Sequence, residues 1–106
     1  MNNGKPFQTA GLIGNKTWVD ANPDLTRKVV GVMLRTAEWA NKNPTDEVTL
    51  LAQLTKAEPA ALNAYPRIPY ATKYDPGLVQ PVIDVIARYG FIPRSFPASE
   101  LRAPGA

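Results

Sequence analysis

Any chemistry performed by this chain has to come from hydroxyl, carboxylate, amide or cationic side chains, because its 106 residues include neither histidine nor cysteine. These absences exclude thiolate nucleophiles, disulfides, a histidine general base, and metal sites built from histidine or cysteine. Ser95 and Ser99 have no base beside them, and no pair of carboxylates has a spacing typical of acid–base catalysis. We therefore predict no catalytic residue, no metal ligand and no cofactor, and a protein that is not an enzyme.

Two polar residues near the N-terminus are the candidate ligand-binding residues. Gln8 and Thr9 lie in the mostly apolar run of residues 7–13, which Pro6 and Gly14 bound. Such a run predicts one short β-strand. Ligand sites contain few polar groups in an apolar wall, so Gln8 and Thr9 either point into a site or lie at edge or solvent-facing positions of the strand.

The distribution of the basic residues does not indicate a nucleic-acid-binding surface. The net charge is +3, but the basic residues are scattered, and Arg27 with Lys28 is the only adjacent basic pair. A nucleic-acid surface has its basic residues gathered on one face. Arg67, Lys73 and Arg94 have the charge to hold an anionic solute, although a solvated surface position is the interpretation that we favour for each.

An Asn-Pro or Asp-Pro pair predicts the start of each of three long helices. In each case an Asn or Asp that can accept a hydrogen bond from the first turn stands before a proline, whose missing N–H would be unpaired there anyway. These signals are Asn22 before Pro23, Asn43 before Pro44, and Asp75 before Pro76. The apolar spacing that follows them predicts helices over residues 23–42, 44–56 and 76–89.

The remaining elements are short. Asn15 can cap a helical turn, and residues 58–63 predict another before a proline-rich, extended stretch. Trp18 and Trp39 have apolar neighbours at helical spacing, so we expect them in the core and not in a site. Residues 102–106 are expected to fray.

The predicted fold is mainly α, in a single partial domain over residues 1–106. Its one strand has no predicted partner, although the backbone groups of a strand need one. The sheet of such a protein would lie elsewhere, or the strand would pair with another molecule. Residues 1–6 contain no apolar segment of the kind found in signal peptides, so no signal peptide is predicted.

The order of these signals resembles the C-terminal part of the periplasmic solute-binding proteins of ABC importers for nitrate, sulfonates and taurine. The similar segments include residues 14–24 and 37–44, in which an Asn-Pro helix start follows a tryptophan twice. The others are residues 68–71, 75–76, 80–84, 89–93, 96–98 and 100–101. Together the resemblance covers about residues 7–101.

The resemblance implies the C-terminal segment of a two-lobed α/β fold, the type II periplasmic-binding-protein fold. It implies a small solute bound between the lobes, an ABC permease as partner, and a parent protein located in the periplasm or outside the cytoplasm. Proteins that bind pyrimidine precursors share this fold and remain an alternative. A different alternative is a free-standing helical interaction module, and the chain by itself is expected to form a homodimer or bind solute poorly.

Overall fold

The computed structural model describes residues 6–106 and is mainly helical, as predicted. The three long helices begin at the predicted prolines and end within one residue of the predicted ends. The elements are α1 (Lys16–Ala21), α2 (Pro23–Lys42), α3 (Pro44–Thr55), α4 (Pro59–Asn63), α5 (Pro76–Arg88) and a 3₁₀ helix (Ala98–Leu101). The residues on which the signal-peptide prediction rests lie in part outside the described residues.

The chain divides into two compact units. The first unit contains the described residues 6–30 together with 73–106, and the second contains residues 31–72. In the first unit α5 packs against the 3₁₀ helix, and in the second α3 packs against α4. Helix α2 begins in the first unit and ends in the second.

The predicted strand over residues 7–13 is wrong. No strand occurs among residues 6–106, and the Gln8 amide donates to the Leu78 carbonyl at 3.0 Å instead of joining a ladder. Leu12 and Ile13 are 76% and 98% exposed. A strand is stable only beside another strand, and the rest of the described chain is helix, turn or proline-rich connection.

The helix-start signals act in two different ways. Asp75 caps α5 as predicted, because its carboxylate accepts from the Gly77 amide at 2.8 Å. The side chains of Asn22 and Asn43 instead donate to the carbonyls of Trp18 and Trp39, which lie in the preceding helices. For these two asparagines the predicted forward cap is therefore wrong. An asparagine amide can donate to the unpaired carbonyls at a helix end, whereas a carboxylate can only accept.

Two helices end in the left-handed backbone conformation. Helix α5 continues through Pro81 and is followed by Gly90 at φ 78°, the predicted glycine stop. Helix α3 is capped at its C-terminal end by Lys56, which has φ 60°. A glycine adopts this conformation without steric cost, and a lysine does not.

Little apolar surface is buried. Among residues 6–106 the buried hydrophobic residues are Ala40, Val48, Ile83 and Ala98, whereas nineteen large hydrophobic side chains are exposed. Trp18 and Trp39 are 48% and 40% exposed, so their predicted place in a core is wrong. The apolar side of α2 lies open as well, since Leu25 is 49% exposed.

The accessible surface of the chain is large for its length. It is 8530 Å². A folded protein of 106 residues exposes roughly 5,800 Å², and two separate units of half that size would expose roughly 7,000 Å² in all. The chain exceeds both values, and its exposed side chains include apolar residues of the helices such as Leu25, Val29 and Leu54.

Residues 102–106, the predicted fraying tail, make contacts within the first unit. The Arg102 guanidinium lies 5.7 Å from the centre of the Tyr74 ring. Gly105 lies against the Arg27 backbone, where a Cβ atom on the glycine would be 3.3 Å from the Arg27 Cα. The Ala106 amide donates to the Ala103 carbonyl at 3.1 Å.

Candidate functional site

The polar side chains that hold the proline-rich segment of the second unit form the best-connected cluster there. We call residues 64–72 the strap. Asn41, near the end of α2, pairs with the strap backbone at Tyr70. The Asn41 side-chain NH₂ donates to the Tyr70 carbonyl at 2.8 Å, and the Tyr70 backbone N–H donates to the Asn41 side-chain oxygen at 2.9 Å. A carboxamide carries a donor and an acceptor, so it pairs with both groups of an extended residue.

Glu47, in the first turn of α3, holds two strap side chains. The Tyr70 hydroxyl donates to one Glu47 carboxylate oxygen at 2.6 Å, and the Arg67 guanidinium forms an ion pair with the other. Arg67 also donates to the Pro44 carbonyl at 3.4 Å. Glu47 is 8% exposed. A carboxylate taken from water in this way needs such partners.

The cluster shifts the pKa values of both acids in it. The hydrogen bond from Tyr70 lowers the pKa of the Glu47 carboxyl below its usual value, Arg67 adds to this, and burial opposes it. The same hydrogen bond raises the pKa of the Tyr70 hydroxyl, and burial raises it further. At neutral pH the carboxylate is therefore ionised and the phenol protonated, which is the state in which they bond most strongly.

An open apolar groove of about 280 Å³ lies beside this cluster. Its walls are mainly aliphatic and aromatic side chains of α2 and α3, with Glu47 and Tyr70 at one place in the lining. They are Thr36, Ala37, Trp39, Ala40, Glu47, Leu50, Leu51, Leu54 and Tyr70. Leu54 is 80% exposed, so the groove faces solvent along part of its length.

The first unit holds its own proline-rich segment by a similar carboxamide. Gln80 of α5 accepts from the Ala98 amide at 2.7 Å and donates to the Phe96 carbonyl at 3.1 Å. The Tyr74 hydroxyl donates to the Ala98 carbonyl. These bonds account for the burial of Ala98, which is 1% exposed, because its N–H and C=O are both paired.

Asp84 of α5 belongs to the same cluster. Its carboxylate accepts from the Ser95 hydroxyl at 2.5 Å and from the Gln80 amide at 2.9 Å, and these bonds lower the pKa of the Asp84 carboxyl. The Ser95 hydroxyl is thus held by an acceptor that is ionised at neutral pH and that lies on the protein surface. The arrangement anchors a loop and resembles no nucleophile–base pair.

The predicted ligand-binding residues lie together in the first unit. Gln8 is half-buried, and its side-chain amide donates to the Ala10 carbonyl at 2.9 Å within the same segment. Thr9 is exposed. Their role in solute binding stays a prediction.

The residues that the sequence reasoning missed are Asn41, Glu47, Tyr70 and Gln80. Acidic residues are common in the first turn of a helix. The position of Glu47 there gave no indication that it also holds Tyr70 and Arg67. A usable signal was present: a proline-rich segment cannot pair its own backbone, so polar side chains on neighbouring helices have to hold it. Arg67, read as solvated, is instead paired with Glu47 and is 40% exposed at its side chain.

Comparison with protein-family models, with curated proteins and with solved structures finds no match. The described residues contain no helix that is both long and apolar enough to span a membrane. Within the same residues, no cluster of acidic side chains is placed to hold a metal ion.

Proposed function

We propose that this chain is the C-terminal segment of the solute-binding component of an ABC importer for nitrate, a sulfonate, taurine or a similar small solute. The parent protein would lie in the periplasm or otherwise outside the cytoplasm and deliver its solute to an ABC permease. The chain would supply helices and loops of one lobe and no catalytic group.

The observation that carries this proposal is the uncovered apolar surface. Among residues 6–106, nineteen large hydrophobic side chains are exposed and only four hydrophobic residues are buried. Amphipathic helices that leave one face open fit a layer that packs on a sheet or on other helices. In the proposed parent, the remainder of the lobe would cover these faces.

The two polar clusters support the same proposal. In each unit a carboxamide fixes an extended, proline-rich segment to a helix, at Tyr70 in the second unit and at Ala98 in the first. Such anchors shape the surface of a scaffold without needing a core beneath the loop. The segments that they hold are among those on which the resemblance to solute-binding proteins rests.

The test is calorimetric titration of the longest natural protein that contains these residues. We expect one of nitrate, taurine, an alkanesulfonate or a pyrimidine precursor to bind with a Kd of micromolar or tighter, which corresponds to about −8 kcal/mol. Binding of the pyrimidine precursor alone would select the alternative relative of the same fold. A folded protein that binds none of these solutes would contradict the proposal.

A further inference from the structure

The strap is held to the second unit by few and identifiable contacts. Its residues 64–72 are all exposed, and the apolar side chains of Tyr65 and Ile68 are 74% and 71% exposed. Apolar burial therefore contributes little to holding it in place. Most attachments instead converge on two side chains, Asn41 of α2 and Glu47 of α3. One more joins the Arg67 guanidinium to the Pro44 carbonyl.

These two anchors respond differently to acid. The Asn41 carboxamide does not titrate, so its two bonds with the Tyr70 backbone persist at every pH at which the unit is folded. Glu47 holds Tyr70 and Arg67 through a carboxylate, and protonation removes the charge from both interactions at once. A charge-assisted hydrogen bond is roughly twice as strong as a neutral one.

Among residues 6–106, no charged side chain other than Arg67 pairs with the Glu47 carboxylate. The charged and titratable groups in contact with Glu47 are Arg67 and Tyr70, both on the strap. The α2 residues that line the groove beside Glu47 are uncharged, and α4, which packs against α3, carries no charged residue. Asp46, which precedes Glu47 in α3, is exposed.

We propose that Glu47 is an acid-sensitive latch, which holds the strap on α3 while it is ionised. When Glu47 is protonated, it releases the Tyr70 side chain and leaves Arg67 only its bond to the Pro44 carbonyl. Release would take the Tyr70 side chain out of the lining of the apolar groove, and so would widen the groove. Asn41 would keep the Tyr70 backbone in place as the fixed point of the movement. This inference is independent of the proposed transport function.

The experiment is an NMR study of the chain and its Glu47→Gln variant, which carries a neutral, near-isosteric group at pH 7. Asp46→Asn is the matched control, because it removes the same charge from the adjacent, exposed position of α3. We expect E47Q, and not D46N, to accelerate exchange of the Arg67 side-chain N–H groups with solvent about fivefold or more, while the Tyr70 amide, which Asn41 holds, stays as protected as in the unaltered chain. The amides of residues 65–69 should also become more mobile on the nanosecond scale, whereas that of Tyr70 should not.

A pH titration of the unaltered chain completes the test. Strap resonances should titrate together with the Glu47 carboxyl, with a midpoint below the ordinary glutamate value of about 4.3, and this titration should be missing in E47Q. The proposal is overturned if the strap of E47Q at pH 7 matches that of D46N and the unaltered chain.

If the E47Q substitution unfolds α3, which would show as loss of amide exchange protection in that helix, Tyr70→Phe provides a second test. This variant leaves the carboxylate paired with Arg67 and removes only the phenol. Strap mobility should rise at pH 7, and the midpoint of the Glu47 titration should move up, because the hydrogen bond from Tyr70 is the largest cause of its lowered pKa. An unchanged strap and midpoint in Y70F would also overturn the proposal.

Discussion

Both units hold a proline-rich segment with a carboxamide, but they surround it differently. In the second unit Asn41 pairs with the Tyr70 backbone next to a carboxylate that is 8% exposed, Glu47. In the first unit Gln80 pairs with Phe96 and Ala98, and the nearby carboxylate, Asp84, is exposed. Neither carboxamide titrates, so the two units differ in the carboxylate beside the anchor, and we expect the shielded one to make the second unit the more sensitive to acid.

Replacing the two carboxamides gives the largest expected effect. Gln80→Ala leaves the buried Ala98 amide unpaired and should lower the free energy of unfolding by about 2 kcal/mol. Asn41→Ala removes bonds at an exposed position and should cost about 1 kcal/mol. Urea denaturation measures both.

The control for this pair is Gln53→Ala, which truncates an exposed glutamine of α3. It should change the free energy of unfolding by less than about 0.5 kcal/mol. Equal losses in Gln80→Ala and Gln53→Ala would show that the Gln80 bonds do not stabilise the first unit.

The carboxylates of Glu47 and Asp84 should contribute differently to the acid dependence of unfolding. The folded-state pKa of Glu47 is lowered, so its stabilising contribution is present above the unfolded value of about 4.3 and is lost as the pH falls through the folded value. In Glu47→Gln the acid dependence of unfolding should shrink. Asp84→Asn should change it less, because water screens the exposed carboxylate.

Denaturation curves between pH 3 and pH 7, buffered at constant ionic strength, provide the measurement. If Asp84→Asn flattened the acid dependence more than Glu47→Gln did, the distinction that we draw between the two units would be wrong.

Substitutions at the helix ends should have effects of opposite sign, no larger than the effect of Asn41→Ala. Lys56→Gly should stabilise the second unit by about 0.5–1 kcal/mol, because φ 60° strains a lysine. Gly90→Ala should destabilise the first unit by about 1 kcal/mol through its backbone alone, since a Cβ atom there meets no other atom within 4 Å. Thermal unfolding of the two variants should shift the midpoint up and down, respectively, and shifts of the same sign would contradict this account.

Local signals in the sequence predicted the helices, because capping, proline at the first position and apolar spacing act over a few residues. The start of α5 at Asp75 and its stop at Gly90 are examples. Burial was not predictable in the same way. Trp39 has the spacing of a core residue, yet whether it is covered depends on residues far away in the chain or outside it.

The polar clusters were harder to predict for the same reason. Glu47 and Tyr70 are 23 residues apart, and no local rule brings them together. The strand over residues 7–13 failed because a strand depends on a partner that the described chain does not supply. For both, the missing information is long-range.

In the function that we propose, the rest of a larger binding protein covers the open apolar faces, and sedimentation of the 106-residue chain by itself tests this most directly. We predict that the chain associates, with an average mass that rises with protein concentration, and that it binds a dye specific for exposed apolar surface. A compact monomer at every concentration, with no dye binding and a cooperative unfolding transition, would contradict the claim.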